Sequence, residues 1–185
     1  MLKLHLGSGV KKIAGWVNID VDQSVNPDVV DNIFLLESVA DNSADECYCS
    51  HALEHILRPD VPVALKRWFD ILKPGGLLRV AVPDIEAAMR WYNQTFRLED
   101  IRGLLWGGQK NRYDFHCLGW DERTLTSDLT NAGFIDVKRY DFRETEHFYI
   151  DDYSSAHLPA NQYKTRKGKW EGMSVSLNME CRKPL

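Results

Sequence analysis

The sequence has 185 residues, a mass of 21.3 kDa, a formal net charge of -4 and a pI near 5.9. That length supports one sizeable core and one domain, while 44% hydrophobic and 27% charged residues exclude a disordered or fibrous chain. An acidic balance argues against general nucleic-acid binding and leaves room only for a local basic patch, no apolar run approaches the roughly 18 residues of a membrane span, and Leu2-Lys3-Leu4-His5-Leu6 lacks the pattern of a secretory leader, so secretion is not expected. The expected location is the cytoplasm, with no nucleic-acid partner.

Leu2 to Leu6 reads as a first strand, Gly7-Ser8-Gly9 as a tight turn, Trp16 to Asp20 as a second strand and Val29-Val30 as a short third. Glu46 to Ser50 reads as a fourth strand. Pro59 then introduces a helix with Val61, Ala64, Leu65, Trp68, Phe69 and Leu72 at helical spacing, which the pair Gly75-Gly76 is expected to end. Leu77 to Val82 is the near-continuous apolar run of a strand buried on both faces. A helix follows through Ile85, Ala88, Met89 and Tyr92, then a polar, aromatic stretch from Trp106 to Trp120, and a helix from Thr124 to Ala132 capped by Gly133. Phe134 to Phe142 and Met173 to Cys181 read as the last strands. The chain reads as a single domain over 1–185, with 143–172, rich in charge, Tyr and His, as a lid or a partly disordered insertion. Strands alternating with helices imply an α/β fold with a parallel sheet. Cys47, Cys49, Cys117 and Cys181 form no C-x-x-C pair and read as buried, reduced thiols.

The glycines of Gly7-Ser8-Gly9 let backbone approach a ligand at the carboxyl edge of a parallel sheet, and Asp20, ending strand two, offers a carboxylate to ribose hydroxyls. Asp22 is a competing candidate. A dinucleotide fingerprint would carry a third glycine and an acid about 20 residues further on, whereas Lys11-Lys12-Ile13 follows and Asp20 comes early, so a nicotinamide cofactor is disfavoured.

These residues resemble the class I S-adenosylmethionine-dependent methyltransferases, especially a small group found with bacterial surface-sugar genes. The resemblance covers most of the chain. It rests on Leu4-His5-Leu6-Gly7-Ser8-Gly9, Gly15-Trp16-Val17-Asn18-Ile19-Asp20, Ser50-His51-Ala52-Leu53-Glu54-His55, Leu72-Lys73-Pro74-Gly75-Gly76-Leu77-Leu78 and Ala132-Gly133-Phe134. It implies a Rossmann-like, doubly wound, mostly parallel seven-stranded sheet with an antiparallel last strand, S-adenosyl-L-methionine as cofactor and a small-molecule acceptor, a saccharide or sugar-linked compound first. It also implies that Gly7, Ser8 and Gly9 approach the methionine part, Asp20 holds the ribose, Asp31 and Asn32 meet the adenine, and Ser50 and His51 lie nearest the donated methyl. Glu54 and His55 would brace the site. The chain departs from the family in the short spacing from Gly9 to Asp20, which truncates the first helix, and in lacking both the third glycine and the acid usual at His5.

Methyl transfer from a sulfonium is an in-line displacement, so the protein must align donor and acceptor and supply a base only where the acceptor loses a proton. His51 is the base candidate by position, with His116 as a second; a cap or packing role for His51 is the competing reading. No metal is expected: His51 and His55 are four apart, as ligands can be, but no third ligand follows at fitting spacing. Trp106, Tyr113 and Trp120 are candidates for an acceptor pocket, while Trp91 and Tyr92 read as core. A nucleic-acid base methyltransferase would want N/D-P-P-Y/F where Ser50-His51-Ala52-Leu53 stands. The remaining alternative is a non-catalytic module that binds S-adenosylmethionine or S-adenosylhomocysteine.

Overall fold

The computed structural model describes residues 1–159 and 172–185. Strands β1 (Lys3–Leu6), β2 (Val17–Asp20), β3 (Val29–Val30), β4 (Ala44–Ser50), β5 (Leu72–Pro83), β6 (Ile135–Arg139) and β9 (Ser176–Arg182) form one sheet in the order β3-β2-β1-β4-β5-β9-β6. β1 to β5 are mutually parallel, and β9 runs antiparallel between β5 and β6. This is the Rossmann-like arrangement expected. A two-stranded ribbon of β7 (His157–Leu158) and β8 (Met173–Ser174) stands beside it. Helices α1 (Val61–Ile71), α2 (Ile85–Thr95), α3 (Leu98–Trp106) and α4 (Glu122–Asn131) complete the described fold, and none is long and apolar enough to cross a membrane.

The main core lies against the sheet, with Leu4, Leu6, Ile19, Cys47, Cys49, Leu78, Val80 and Val82 meeting Ala64, Leu65, Trp68 and Ile71 of α1. A second cluster joins Ala87, Ala88 and Ile101 of α2 and α3 to Ala156, Leu158 and Val175. Helix α1 also fixes the loop after β3. Trp68 Nε1 donates to the Ile33 carbonyl at 2.7 Å, and Arg67 donates to the carbonyls of Leu35 and Leu36 at 2.9 and 3.0 Å.

Four local expectations are corrected. Gly75-Gly76 does not end α1; the helix stops at Ile71, because Lys73 precedes Pro74 and is driven out of helical backbone, and residues 72–76 already belong to β5. Between β1 and β2 there is no helix at all, truncated or otherwise. The Asn18 side chain replaces it: Oδ1 accepts from Ile13 N–H at 2.8 Å while Nδ2 donates to the carbonyls of Ile13 and Trp16, both at 3.2 Å. Helix α3 falls where sequence reading placed no element. Cys117 is exposed, whereas Cys47, Cys49 and Cys181 are buried, and all four are free thiols.

Of the segment 143–172, residues 160–171 lie outside the described residues. In the rest, His147 packs between Tyr48 (ring centroids 4.2 Å) and Trp16 (5.3 Å), and the Tyr48 hydroxyl donates to Asp152 at 2.5 Å. Burial pushes His147 down to about 4, and burial lowers His5 too. An unfolded histidine takes its proton near 6.5, so the stability tied to these neutral rings is complete above that pH and drains as pH falls toward 4. For His147 the loss between neutral pH and pH 5 is about 2 kcal/mol. Urea midpoints at pH 7.5 and pH 5 measure it, and His147→Phe is expected to flatten the difference; an unchanged difference contradicts this account.

Candidate functional site

In an open α/β sheet the ligand crevice forms where strand order reverses, here between the carboxyl ends of β1 and β4. A cleft of about 430 Å³ opens there, lined by Gly7, Asp20, Asn32, Ile33, His51 and His55 among others. That volume lies within the range of small-ligand sites.

Gly7 and Gly9 both take positive φ, +67° and +50°. They serve different ends. A Cβ on Gly7 would stand 2.5 Å from Ala52 Cβ, so this glycine lets the β1 turn close on the loop after β4; a Cβ on Gly9 would meet nothing within 4 Å, leaving room for a ligand. Ser8 is buried, with its N–H donating to the Ile19 carbonyl at 3.0 Å, and is not part of the cleft wall. Asp20 accepts from Gly9 N–H at 2.7 Å on one carboxylate oxygen and from Asp22 N–H at 2.9 Å on the other. Each oxygen keeps a lone pair for a ligand hydroxyl. Asp22 instead caps the short helix Gln23–Val25 by accepting from Ser24 N–H; the Ser24 side chain first and this N–H second hold its carboxyl below the usual range.

The expected adenine contacts divide. Asn32 lies in the cleft wall with Ile33 and Phe34, whereas Asp31 turns back on its own loop, accepting from Ser38 N–H at 2.8 Å and Asn32 N–H at 2.7 Å. Ser50 also faces away, its hydroxyl donating to the Asp152 carbonyl at 2.7 Å.

His51 lies in the cleft in left-handed backbone, φ +49°, which costs a side-chain-bearing residue about 1 kcal/mol and persists only where the surroundings enforce it. Burial, followed by His116 and His55, pushes it down to about 3, so it is a neutral imidazole. His116 lines a second cleft of about 320 Å³ that shares His51 and His55 with the first and includes Tyr153 and Lys110. Glu54 lies fully buried between the histidines, and burial pushes its carboxyl up to about 8. Arg112, Tyr113 and Phe115 also line the first cleft; sequence reading named Tyr113 and missed the other two, because this loop has no periodicity. Trp106 is half exposed, and Trp120 is core, its Nε1 donating to Asp128 at 2.8 Å.

A glycine turn and an acidic strand end facing one crevice of a reversing parallel sheet define a nucleoside-binding protein of the Rossmann type. The family is narrower: residues 10–138 match the methyltransferase domain family, and the chain belongs to it. No curated protein matches the sequence. Among solved structures, a Methanosarcina mazei S-adenosylmethionine-dependent methyltransferase shares 18% identity over 99% of this chain and 92% of its own, with a TM-score of 0.62. A Burkholderia thailandensis 1,6-didemethyltoxoflavin-N1-methyltransferase, solved with bound 1,6-didemethyltoxoflavin and S-adenosylhomocysteine, shares 14% identity over 100% of this chain and 71% of its own, with a TM-score of 0.55. A Bordetella parapertussis chain described as a possible exported protein shares 14%, at 0.58; this chain is covered fully and spans 62% of that neighbour's length. These likenesses establish the fold, and S-adenosylmethionine is the cofactor that accompanies it. Gly7 in the cleft wall and the free lone pairs of Asp20 fit that ligand.

Proposed function

We propose that the chain transfers the methyl group of S-adenosylmethionine to a small-molecule acceptor, of the saccharide or sugar-linked class. The observation that carries the reading is continuity: Gly7, Asp20, His51 and His55 line a single cleft. Gly7 and Gly9 give the methionine part its approach, Asp20 holds the ribose hydroxyls, and Asn32, Ile33 and Phe34 wall the adenine. His51 lies nearest the methyl and orients the acceptor. Tyr113 and Phe115 offer ring faces, with Arg112 and Asp60 as polar partners, a combination that suits sugars. S-adenosylmethionine supplies the electrophilic methyl; the chain's own task is alignment and exclusion of water.

Calorimetry with S-adenosylhomocysteine tests the cofactor site. Asp20→Ala is expected to weaken binding by about 1–3 kcal/mol, with Asp20→Asn milder and Asp22→Ala without effect. No heat from folded wild-type protein at millimolar ligand overturns the reading. A non-catalytic module that binds the same cofactor is the second reading, favoured by the absence of a helix between β1 and β2; it predicts binding with no turnover on any acceptor.

A further inference from the structure

Glu54 is 0% exposed, and neither of its carboxylate oxygens has a hydrogen-bond partner. Its neighbours do not supply one. His51 Nδ1 stands 3.5 Å and His116 Nε2 3.8 Å from the same Oε1, and the His55 and His116 rings meet edge-on at 4.9 Å.

The far side of each ring shows what the near side presents. A carbonyl only accepts, so His55 Nδ1, 3.0 Å from the Phe115 carbonyl, and His116 Nδ1, 2.9 Å from the Leu104 carbonyl, each carry the hydrogen, which leaves Nε2 of both neutral rings a lone pair. Asn178 Nδ2 donates to the Ser154 carbonyl, so its Oδ1 accepts the single hydroxyl hydrogen of Ser176 at 2.8 Å. Ser176 therefore accepts from His51 Nε2–H at 3.0 Å, and His51 Nδ1 is also a bare acceptor. With Glu54 ionised, three imidazole lone pairs and a carboxylate converge in a buried place with no donor among them; a proton on the Glu54 carboxyl is the competing occupant. Buried acceptors left in this state are costly, and a cation satisfies all of them at once.

We infer that Glu54, His55 and His116 bind one divalent first-row transition ion of the zinc or ferrous class, with His51 Nδ1 the nearest further nitrogen. Among the described residues these three offer ligand atoms all within 4.8 Å of one another. Atoms bonded to a tetrahedral metal at about 2.0–2.1 Å stand about 3.3–3.4 Å apart, so the site closes by small side-chain adjustments. The carbonyl partners on Nδ1 of His55 and His116 are the outer hydrogen bonds that metal-bound imidazoles make. Imidazole nitrogens select a transition ion over magnesium or calcium, which take oxygen. Two clefts meet here, so an open coordination position faces the acceptor side; resting on the methyl-transfer reading, the ion's role is to hold an acceptor oxygen in line with the donor.

The test is metal binding itself. Purified protein is stripped with a chelator, dialysed and titrated with cobalt(II), whose visible absorption reports nitrogen ligation, and zinc is then added in competition. One equivalent per chain with cobalt bands is expected. Glu54→Gln and His116→Ala should each weaken binding by about 100-fold or more, and both should abolish the zinc-dependent rise in melting temperature. Circular dichroism checks the variants; if neither folds, wild-type stoichiometry and spectrum decide. Folded wild-type protein that takes up no metal overturns the inference and assigns the place to a proton on Glu54, and so does equal affinity in folded variants. Calorimetry with S-adenosylhomocysteine on the same samples separates the claims. Metal without nucleoside binding leaves the site standing and sinks the methyl-transfer reading; nucleoside without metal sinks the site alone.

Discussion

Replacing His51 by glycine is expected to lower methyl transfer by about 10²–10⁴-fold, the span of a residue acting at the reacting atoms, with S-adenosylhomocysteine affinity within about twofold of wild type. Glycine is the informative choice because His51 sits at φ +49°. Removing the side chain relieves about 1 kcal/mol of backbone strain and offsets the loss of the Ser176 hydrogen bond, so the melting temperature should move little. A cap or packing residue behaves in the opposite way, losing on the order of 1 kcal/mol of stability with turnover intact. Transfer of labelled methyl to a saccharide panel, run beside calorimetry and thermal melts, separates the two. His116→Ala in the same assay reports on the second cleft. Full turnover in both variants would assign methyl transfer to alignment alone.

Trp68→Ala is expected to cost about 3–5 kcal/mol of stability, the range for deleting a buried tryptophan. The ring is 0% exposed in the main core, and its Nε1 donates to the Ile33 carbonyl at 2.7 Å, which the substitution leaves short of a donor. Ile33 is part of the cleft wall, so nucleoside affinity should fall with stability. Trp68→Phe keeps most of the packing and loses the hydrogen bond, for about 1–2 kcal/mol. Urea unfolding with an unchanged m-value reads both. Equal nucleoside affinity in Trp68→Ala would detach the helix from the cleft.

Much of this architecture was legible because it is local. The turn at Gly7 to Gly9, the strand ending in Asp20 and the apolar run before Pro83 each fall within a few residues, where period and turn chemistry speak directly. Helix α3 was legible too and was missed: Leu98, Ile101 and Leu105 keep helical spacing, interrupted by Gly103. Asp31 and Asn32 could not be told apart because a strand of two residues sets no register. The grouping of Glu54 with His116 was not legible at all. They lie 62 residues apart in sequence, and only the passage of the chain through α1, β5, α2 and α3 returns His116 to the end of β4. Searching for a third ligand at short spacing could not find one that topology delivers.

The position of β9 sets an order on assembly. β6 pairs with β9 and with no other described strand, so its backbone groups go without a sheet partner until the later strand arrives between it and β5. β9 also brings Ser176 and Asn178, which fix the His51 tautomer. The strand that orients His51 is thus the last in chain order, whereas β1, β2 and β4, which carry the turn at Gly7 and the Asp20 carboxylate to the crevice, all precede it.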